Sequence, residues 1–233
     1  MPVELLDYPK AALRMVVATQ EERRMRIRAC VKEPDTVRWI ETFDVGDVFY
    51  DVGANVGSYS LVAAQNGARV YSFEPEAMNY GRLIQNIGLN PDIEDRITPI
   101  CSALWDKQEL LTMYMKGSVP GLADHAFELN GQGPDVFTQP VLSVTMDELQ
   151  NLDIPMPNHI KIDVDGYEDR VLGGAWFCLD SPVLKSVMCE MDKAHQDVAD
   201  NAHDRLTEAG LGKVGEAQLG SSKRHNFFYE KRL

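Results

Sequence analysis

The run Val48-Phe49-Tyr50-Asp51-Val52-Gly53-Ala54-Asn55-Val56-Gly57 decides the fold. Its first five residues are short, apolar and rich in strand formers, and they end at a glycine-bearing turn. A helix-like stretch follows and stops at Gly67, a residue suited to the left-handed position just past a helix end. Arg69 to Phe73 then reads as a second strand. Beyond it Tyr80, Leu83, Ile84 and Ile87 recur at the spacing of one helix face, and Ile97 to Cys101 reads as a third strand.

The same rhythm returns later. His159 to Asp163 is strand-like, and Glu168 to Phe177 is helix-like with Val171, Leu172 and Ala175 on one face. Val183 to Glu190 is a further strand. Ala199, Ala202, Leu206 and Ala209 mark a helix closed by Gly210, and Asn226 to Tyr229 is a last strand. Strands alternating with helices imply crossover units, hence an α/β fold with a mostly parallel sheet covered by helices on both faces.

Two regions break the rhythm. Residues 1–46 precede the first sheet strand and are expected to form a cover, with Asp35 capping a short helix that carries Val37 and Ile40. Residues 104–145 separate the third and fourth strands of the pattern. Leu110 to Met115 suits a strand, but Lys116 to Pro140 is rich in glycine and proline and reads as a long binding loop or lid. Thr145-Met146-Asp147-Glu148 has the form of a capping box and should open a short helix. The expected domain organisation is a cover at 1–46 and one domain at 47–233 with a lid insert.

Composition bounds the partners. The chain has 233 residues, enough for one large domain, and is 44% hydrophobic and 25% charged, which excludes long disorder. No apolar run approaches the roughly 18 residues of a membrane span. The N-terminal residues show no signal-peptide pattern. With 36 acidic and 23 basic side chains the net charge is −13, so nucleic acid is a disfavoured partner. The local run Arg23, Arg24, Arg26 and Arg28 reads as a solvated face beside Glu21 and Glu22, with an anion-binding site as the alternative. The cysteines, at 30, 101, 178 and 189, form no metal or redox pair. Cys101 and Cys189 are expected to be buried, and a reducing, cytoplasmic compartment fits. Trp39, Trp105 and Trp176 are read as packing residues. Oligomeric state is not legible.

The turn carries the chemistry. Glycine there permits a tight bend and lets a ligand approach the backbone. Glu74 follows Asp51 by 23 positions, at the end of the next strand, where a carboxylate can accept both ribose hydroxyls. That combination describes a nucleoside-cofactor site. A dinucleotide site requires G-x-G-x-x-G, yet Asn55 stands where the second glycine would fall. Asp51 would repel a pyrophosphate and favour a cation. S-adenosylmethionine, with an ammonium and a sulfonium and no phosphate, is the better match. NAD(P), as in a Rossmann oxidoreductase, and a turn with no ligand remain the alternatives.

These segments together resemble the FkbM family of S-adenosylmethionine-dependent methyltransferases. The resemblance rests on Asp51 to Gly57, Phe73-Glu74-Pro75, Asn86 to Asn90, Ser102-Ala103-Leu104, Val144 to Leu149, and above all Ile160-Lys-Ile-Asp-Val-Asp-Gly-Tyr-Glu168 followed by Val171 to Ala175. Asp165 departs from the family, which usually has glutamate there. The resemblance implies a Rossmann-like methyltransferase fold with a seven-stranded, mostly parallel sheet and a last antiparallel strand supplied by Asn226 to Tyr229. It implies methylation of a hydroxyl on a sugar, polyketide or other small metabolite. By position it implies that Asp51, Gly53, Ala54, Asn55 and Gly57 contact the methionine part of the cofactor and Glu74 the ribose. Pro75 and Asn79 would lie close by, with Ser102 and Ala103 along the adenine.

Asp163 ends the strand expected beside the cofactor strand, so it should face the transferable methyl and orient an acceptor hydroxyl or take its proton. His125 in the lid and His195 after the fifth strand of the pattern are the other candidate bases. Asp163, Asp165, Glu168, Glu190 and Asp192 also gather oxygen ligands that would suit Mg²⁺ or Ca²⁺, with Asp163, Asp165 and Glu190 the leading metal candidates. A metal is not favoured, because an acid at the start of a helix such as Glu168 is favourable without one. A cofactor-binding subunit that has lost transfer is the non-enzymatic alternative, and the partner otherwise expected is a small-molecule or glycan acceptor.

Overall fold

A computed structural model describes residues 1–20, 22–115, 117, 120–122, 126–127, 137–220 and 222–232. The chain opens with an antiparallel pair, β1 (Val3–Leu5) and β2 (Arg14–Val16), a π-helical turn at Glu22–Arg26, and helices α1 (Ala29–Lys32) and α2 (Pro34–Ile40). The core units follow: β3 (Val48–Val52), α3 (Ser58–Gln65), β4 (Arg69–Phe73), α4 (Ala77–Gly88) and β5 (Ile97–Ile100). Next come β6 (Ala103–Leu104), β7 (Glu109–Met115) and β8 (Phe137–Val144), which form a separate three-stranded sheet. The second half holds β9 (His159–Ile162), α5 (Glu168–Gly173), α6 (Trp176–Asp180), β10 (Ser186–Asp192), α7 (Gln196–Glu208), β11 (Leu211–Gln218) and β12 (Arg224–Lys231).

The central sheet has seven strands in the order β11-β12-β10-β9-β3-β4-β5. The pairs β10–β9, β9–β3, β3–β4 and β4–β5 are parallel, and β12 runs antiparallel to both its neighbours. β3 is buried along its whole length, which explains its unbroken apolar run. Its side chains alternate between two cores. Phe49 packs with α3, α4 and the N-terminal segment, whereas Val48, Tyr50 and Val52 pack with residues of α5, α6 and α7.

Several local expectations need correction. Asp35 does not cap α2. The helix begins one residue earlier at Pro34, whose fixed φ and missing N–H suit a first helical position. The helix expected over 168–177 is two short helices broken at Gly174-Ala175. A Cβ on Gly174 would lie 2.0 Å from the Trp105 carbonyl oxygen, so the break admits close backbone packing. The stretch read as loop up to Pro140 includes strand from Phe137, and β11 joins the sheet edge. Cys101 is exposed, because β5 ends before it, while the other three cysteines are buried and all four are free. The capping box forms as expected. Glu148 N donates to Thr145 Oγ1 at 3.1 Å and Thr145 N to Glu148 Oε2 at 2.9 Å, opening a 3₁₀ turn at Asp147–Leu152. Among the described residues no helix is long and apolar enough to cross a membrane.

Candidate active site

The turn after β3 is held from two sides. Gly53 N and Ala54 N both donate to the Phe73 carbonyl at 3.0 Å, which ties the turn to the end of β4. On the other side a Cβ on Gly53, at φ +79°, would lie 1.9 Å from the Asp163 carbonyl oxygen beyond β9. Glycine is therefore required by both conformation and contact. Glu74 closes the neighbouring strand end. Its Oε2 accepts from Asn55 N and its Oε1 from Glu76 N, both at 2.8 Å. Burial pushes its carboxyl up to about 7, against the pull of those two amides.

A cavity of about 750 Å³ opens above these groups. Gly53, Asn55, Glu74, Pro75, Asn79, Ser102, Ala103 and Asp163 line it, eight of the residues expected from sequence. Trp105, Met113, Phe127 and Val171 give it an apolar wall. Trp105 is thus a wall of the site as well as a packing residue, and it meets Phe127 and Tyr167 edge-on or tilted. The loop residue Leu122 reaches the rim, where its carbonyl accepts from Asn55 Nδ2 at 2.8 Å and Asn79 Nδ2 at 3.2 Å.

A second chamber, of about 590 Å³, adjoins the first and shares Arg26, Gly53, Asn55, Asp163 and Asp165 with it. Ala54 lines this one. Its walls are polar and of mixed charge, with Lys32, Glu33, Tyr59, Lys161, Glu190 and Arg224 contributing. Lys161 is 1% exposed and donates to Asp163 Oδ2 at 2.9 Å, with Asp51 Oδ1 at 3.9 Å and the Tyr59 ring centroid at 5.2 Å. Burial opposes its charge, but Asp163 and Asp51 outweigh that and raise its pKa. In return, burial works against the Asp163 carboxylate while Lys161 holds it below the usual range.

Two of the expected residues stand behind the cavity walls. Asp51 and Gly57 line neither chamber. Asp51 is in register with Ser72 on β4 and Lys161 on β9, so its side chain joins a cross-sheet row on the α3 face. Its Oδ2 accepts from Ser60 Oγ at 2.6 Å, and Ser72 Oγ donates on to Ser60 Oγ at 2.8 Å. Its Oδ1 has no hydrogen-bond partner among the described residues, and burial raises its pKa. Gly57 serves packing: a Cβ there would lie 2.4 Å from Leu83 Cδ1 on α4.

The remaining candidates separate. His125 lies outside the described residues. His195 is exposed and lines a third, smaller cavity with Asp165, Glu168, Glu190, Asp192 and Arg224; Asp165, Glu190 and Arg224 also line the second chamber, but His195 lines neither of the two. The acidic cluster faces cations: Arg224 Nη1 is 2.9 Å from Asp165 and 3.7 Å from Glu190. Burial pushes Glu168 up to about 7 and, with Asp163 adding to it, Glu190 up to about 9. Among the described residues no group of three or more His, Cys, Asp or Glu side chains is arranged to hold a metal ion.

The residues fit a sulfonium nucleoside. The apolar wall suits a purine and Glu74 suits a ribose, while the missing Cβ of Gly53 lets the Asp163 backbone close against the turn. Glu74, Asp163 and Asp165 would repel a pyrophosphate. The sequence places Arg26 in a solvated face and gives neither Lys161 nor Tyr59 a role of its own. The signal for Lys161 was a lysine between two strand-end carboxylates.

The sheet order and the antiparallel β12, with a cavity at the strand ends, define a Rossmann-like methyltransferase fold. The crystal structure of a methyltransferase FkbM from Methylobacillus flagellatus KT has the same fold, with a TM-score of 0.59 at 14% identity over 79% of this chain and 43% of that one. This chain thus spans less than half of that protein. The magnesium protoporphyrin IX methyltransferase of Synechocystis PCC 6803, solved with bound S-adenosylmethionine, gives 0.56 at 12% identity over 93% and 86% of the two chains. The hexuronic acid methyltransferase AglP of Haloferax volcanii is 28% identical over 172 residues, 73% of this chain and 67% of that protein. A family model for the methyltransferase FkbM domain matches residues 51–210, and the chain belongs to that family.

Proposed function

We propose that the chain transfers the methyl group of S-adenosylmethionine to a hydroxyl oxygen of a sugar, with a sugar acid the leading acceptor. The observation that supports this reading is the pair of chambers that meet at Asp163, one with an apolar wall and a carboxylate for a ribose, the other of mixed charge. Gly53, Asn55, Glu74, Pro75, Asn79, Ser102 and Ala103 would hold the donor. When bound, the donor supplies an electrophilic methyl on a sulfonium. Asp51 acts one layer behind, by fixing Lys161 and the turn.

Asp163 is kept ionised by Lys161, and the 2.9 Å contact between them sets its orientation. From the junction it accepts the hydrogen bond of an acceptor hydroxyl, aims the oxygen lone pair, and takes the proton as the carbon–oxygen bond forms. A chamber of mixed charge suits a polyol, because both its donors and its acceptors find partners. The hexuronic acid named for the AglP relative is of that class.

The test is transfer of a labelled methyl from S-adenosylmethionine to glucuronate, galacturonate and their neutral sugars. The expected product is a base-stable methyl ether. Asp163→Asn should lower kcat by about 10²–10⁴-fold with little change in S-adenosylhomocysteine affinity. A base-labile ester would overturn the hydroxyl assignment. Tight binding of NAD⁺ in place of S-adenosylhomocysteine would overturn the donor assignment.

A further inference from the structure

Glu190 stands near the end of β10, beside Asp163 at the end of β9. The two strands are parallel, with Met188 opposite Lys161 and Cys189 opposite Ile162. Glu190 is two residues past Met188, and Asp163 is two past Lys161. Both side chains therefore leave the same face of the sheet. They meet at the polar chamber, which both residues line.

Glu190 is only 8% exposed, yet among the described residues its carboxyl makes no hydrogen bond. The Arg224 guanidinium stands 3.7 Å away, beyond hydrogen-bond reach, and is closer to Asp165 at 2.9 Å. Lys161 is committed to Asp163. A carboxyl buried without a hydrogen bond destabilises the fold, and one that faces a chamber is satisfied by what enters it. Burial and the nearby Asp163 charge push Glu190 up to about 9. It then offers an O–H donor and a carbonyl acceptor together, the complement of an alcohol.

We propose that Glu190 is a second acceptor-binding residue, which holds the hydroxyl next to the one methylated, so that the preferred acceptor carries a vicinal diol. Neighbouring strands lie about 4.8 Å apart, so carboxyl groups at their ends can each take one of two hydroxyls on adjacent carbons. The inference rests on the reading of Asp163 as the group that engages the reacting hydroxyl. It adds a rule for where the methyl goes: a hydroxyl whose neighbour is missing or already substituted is a poor target.

Labelled methyl transfer tests it in two stages. The wild type is first offered glucuronate, galacturonate, glucose and galactose, and the methylated position of the best acceptor is located by NMR. That acceptor is then compared with its deoxy analogues, each lacking one hydroxyl beside that position. One analogue should lower kcat/KM by about 10–100-fold in the wild type. Glu190→Leu keeps the bulk without the hydrogen bonds, and in it the gap between parent and analogue should shrink to less than about threefold. Glu190→Gln keeps a donor and an acceptor at the same reach and should retain most of the gap. Glu190→Ala serves if Glu190→Leu fails to fold. A wild type indifferent to both analogues, a Glu190→Leu variant with the full gap, or loss of S-adenosylhomocysteine affinity in the variants would each overturn the assignment and leave the sugar reading intact. Failure of the wild type to methylate any of the four sugars would refute that reading, and this inference with it.

Discussion

With Glu74 holding the ribose as proposed, donor binding should depend on pH, with a sign and size that follow from its surroundings. Its carboxyl is buried and titrates near 7 rather than 4.5. Ribose hydroxyls donate hydrogen bonds, so they engage the ionised form, and ligand binding must release the proton. Below the pKa each unit of pH then costs up to tenfold in affinity, and above it the affinity is flat. Between pH 8.5 and pH 5.5 the dissociation constant of S-adenosylhomocysteine should rise about 30-fold, roughly 2 kcal/mol. Calorimetry in two buffers of different ionisation enthalpy should show close to one proton released at pH 6 and almost none at pH 8.5. Glu74→Gln should bind more weakly and lose the pH dependence. A dissociation constant that stays level across this range, or tightens toward acid, would refute the argument.

Two further outcomes follow from the same geometry. Lys161→Met leaves Asp51 and Asp163 facing each other in a buried site, and chemical denaturation should show a loss of roughly 3–5 kcal/mol, the cost of stranding a buried charge. A loss below about 1 kcal/mol would mean that the lysine is not their counter-charge. Gly53→Ala meets a positive φ and a carbonyl oxygen 1.9 Å away, so it should cost more than about 2 kcal/mol and abolish S-adenosylhomocysteine binding, read by thermal melting and calorimetry.

What could be read from sequence is what depends on local order. The strand–turn–helix unit at 48–66, the carboxylate at 74 and the capping box at 145–148 each declare themselves within a few residues. Asp51 did not, because its surroundings are set by register between strands far apart in the chain. Only the pairing with Ser72 and Lys161 turns its side chain away from the cavity. The N-terminal strands were missed because each has three residues, too few for an alternation to be visible. β11 was missed because much of its alternation is polar and exposed, as on a sheet edge. Arg26 was hidden in a run whose other members face water, so composition masked the one that turns inward.

Two asparagines four residues apart, Asn86 on α4 and Asn90 just past its end, carry a consequence for where this protein can be cut. Asn86 accepts from Val16 N and donates to the Val56 carbonyl, while Asn90 accepts from Arg14 N and donates back to the Arg14 carbonyl, each at 2.8 Å. They read the edge of β2 much as a neighbouring strand would, and Asn86 hands that grip to the glycine turn. A chain trimmed to begin at residue 47 would strand both amides and uncover the apolar flank of α3 and α4. The leading forty-odd residues are therefore less a detachable cap than the outermost layer of the catalytic body, and a minimal domain has to keep them.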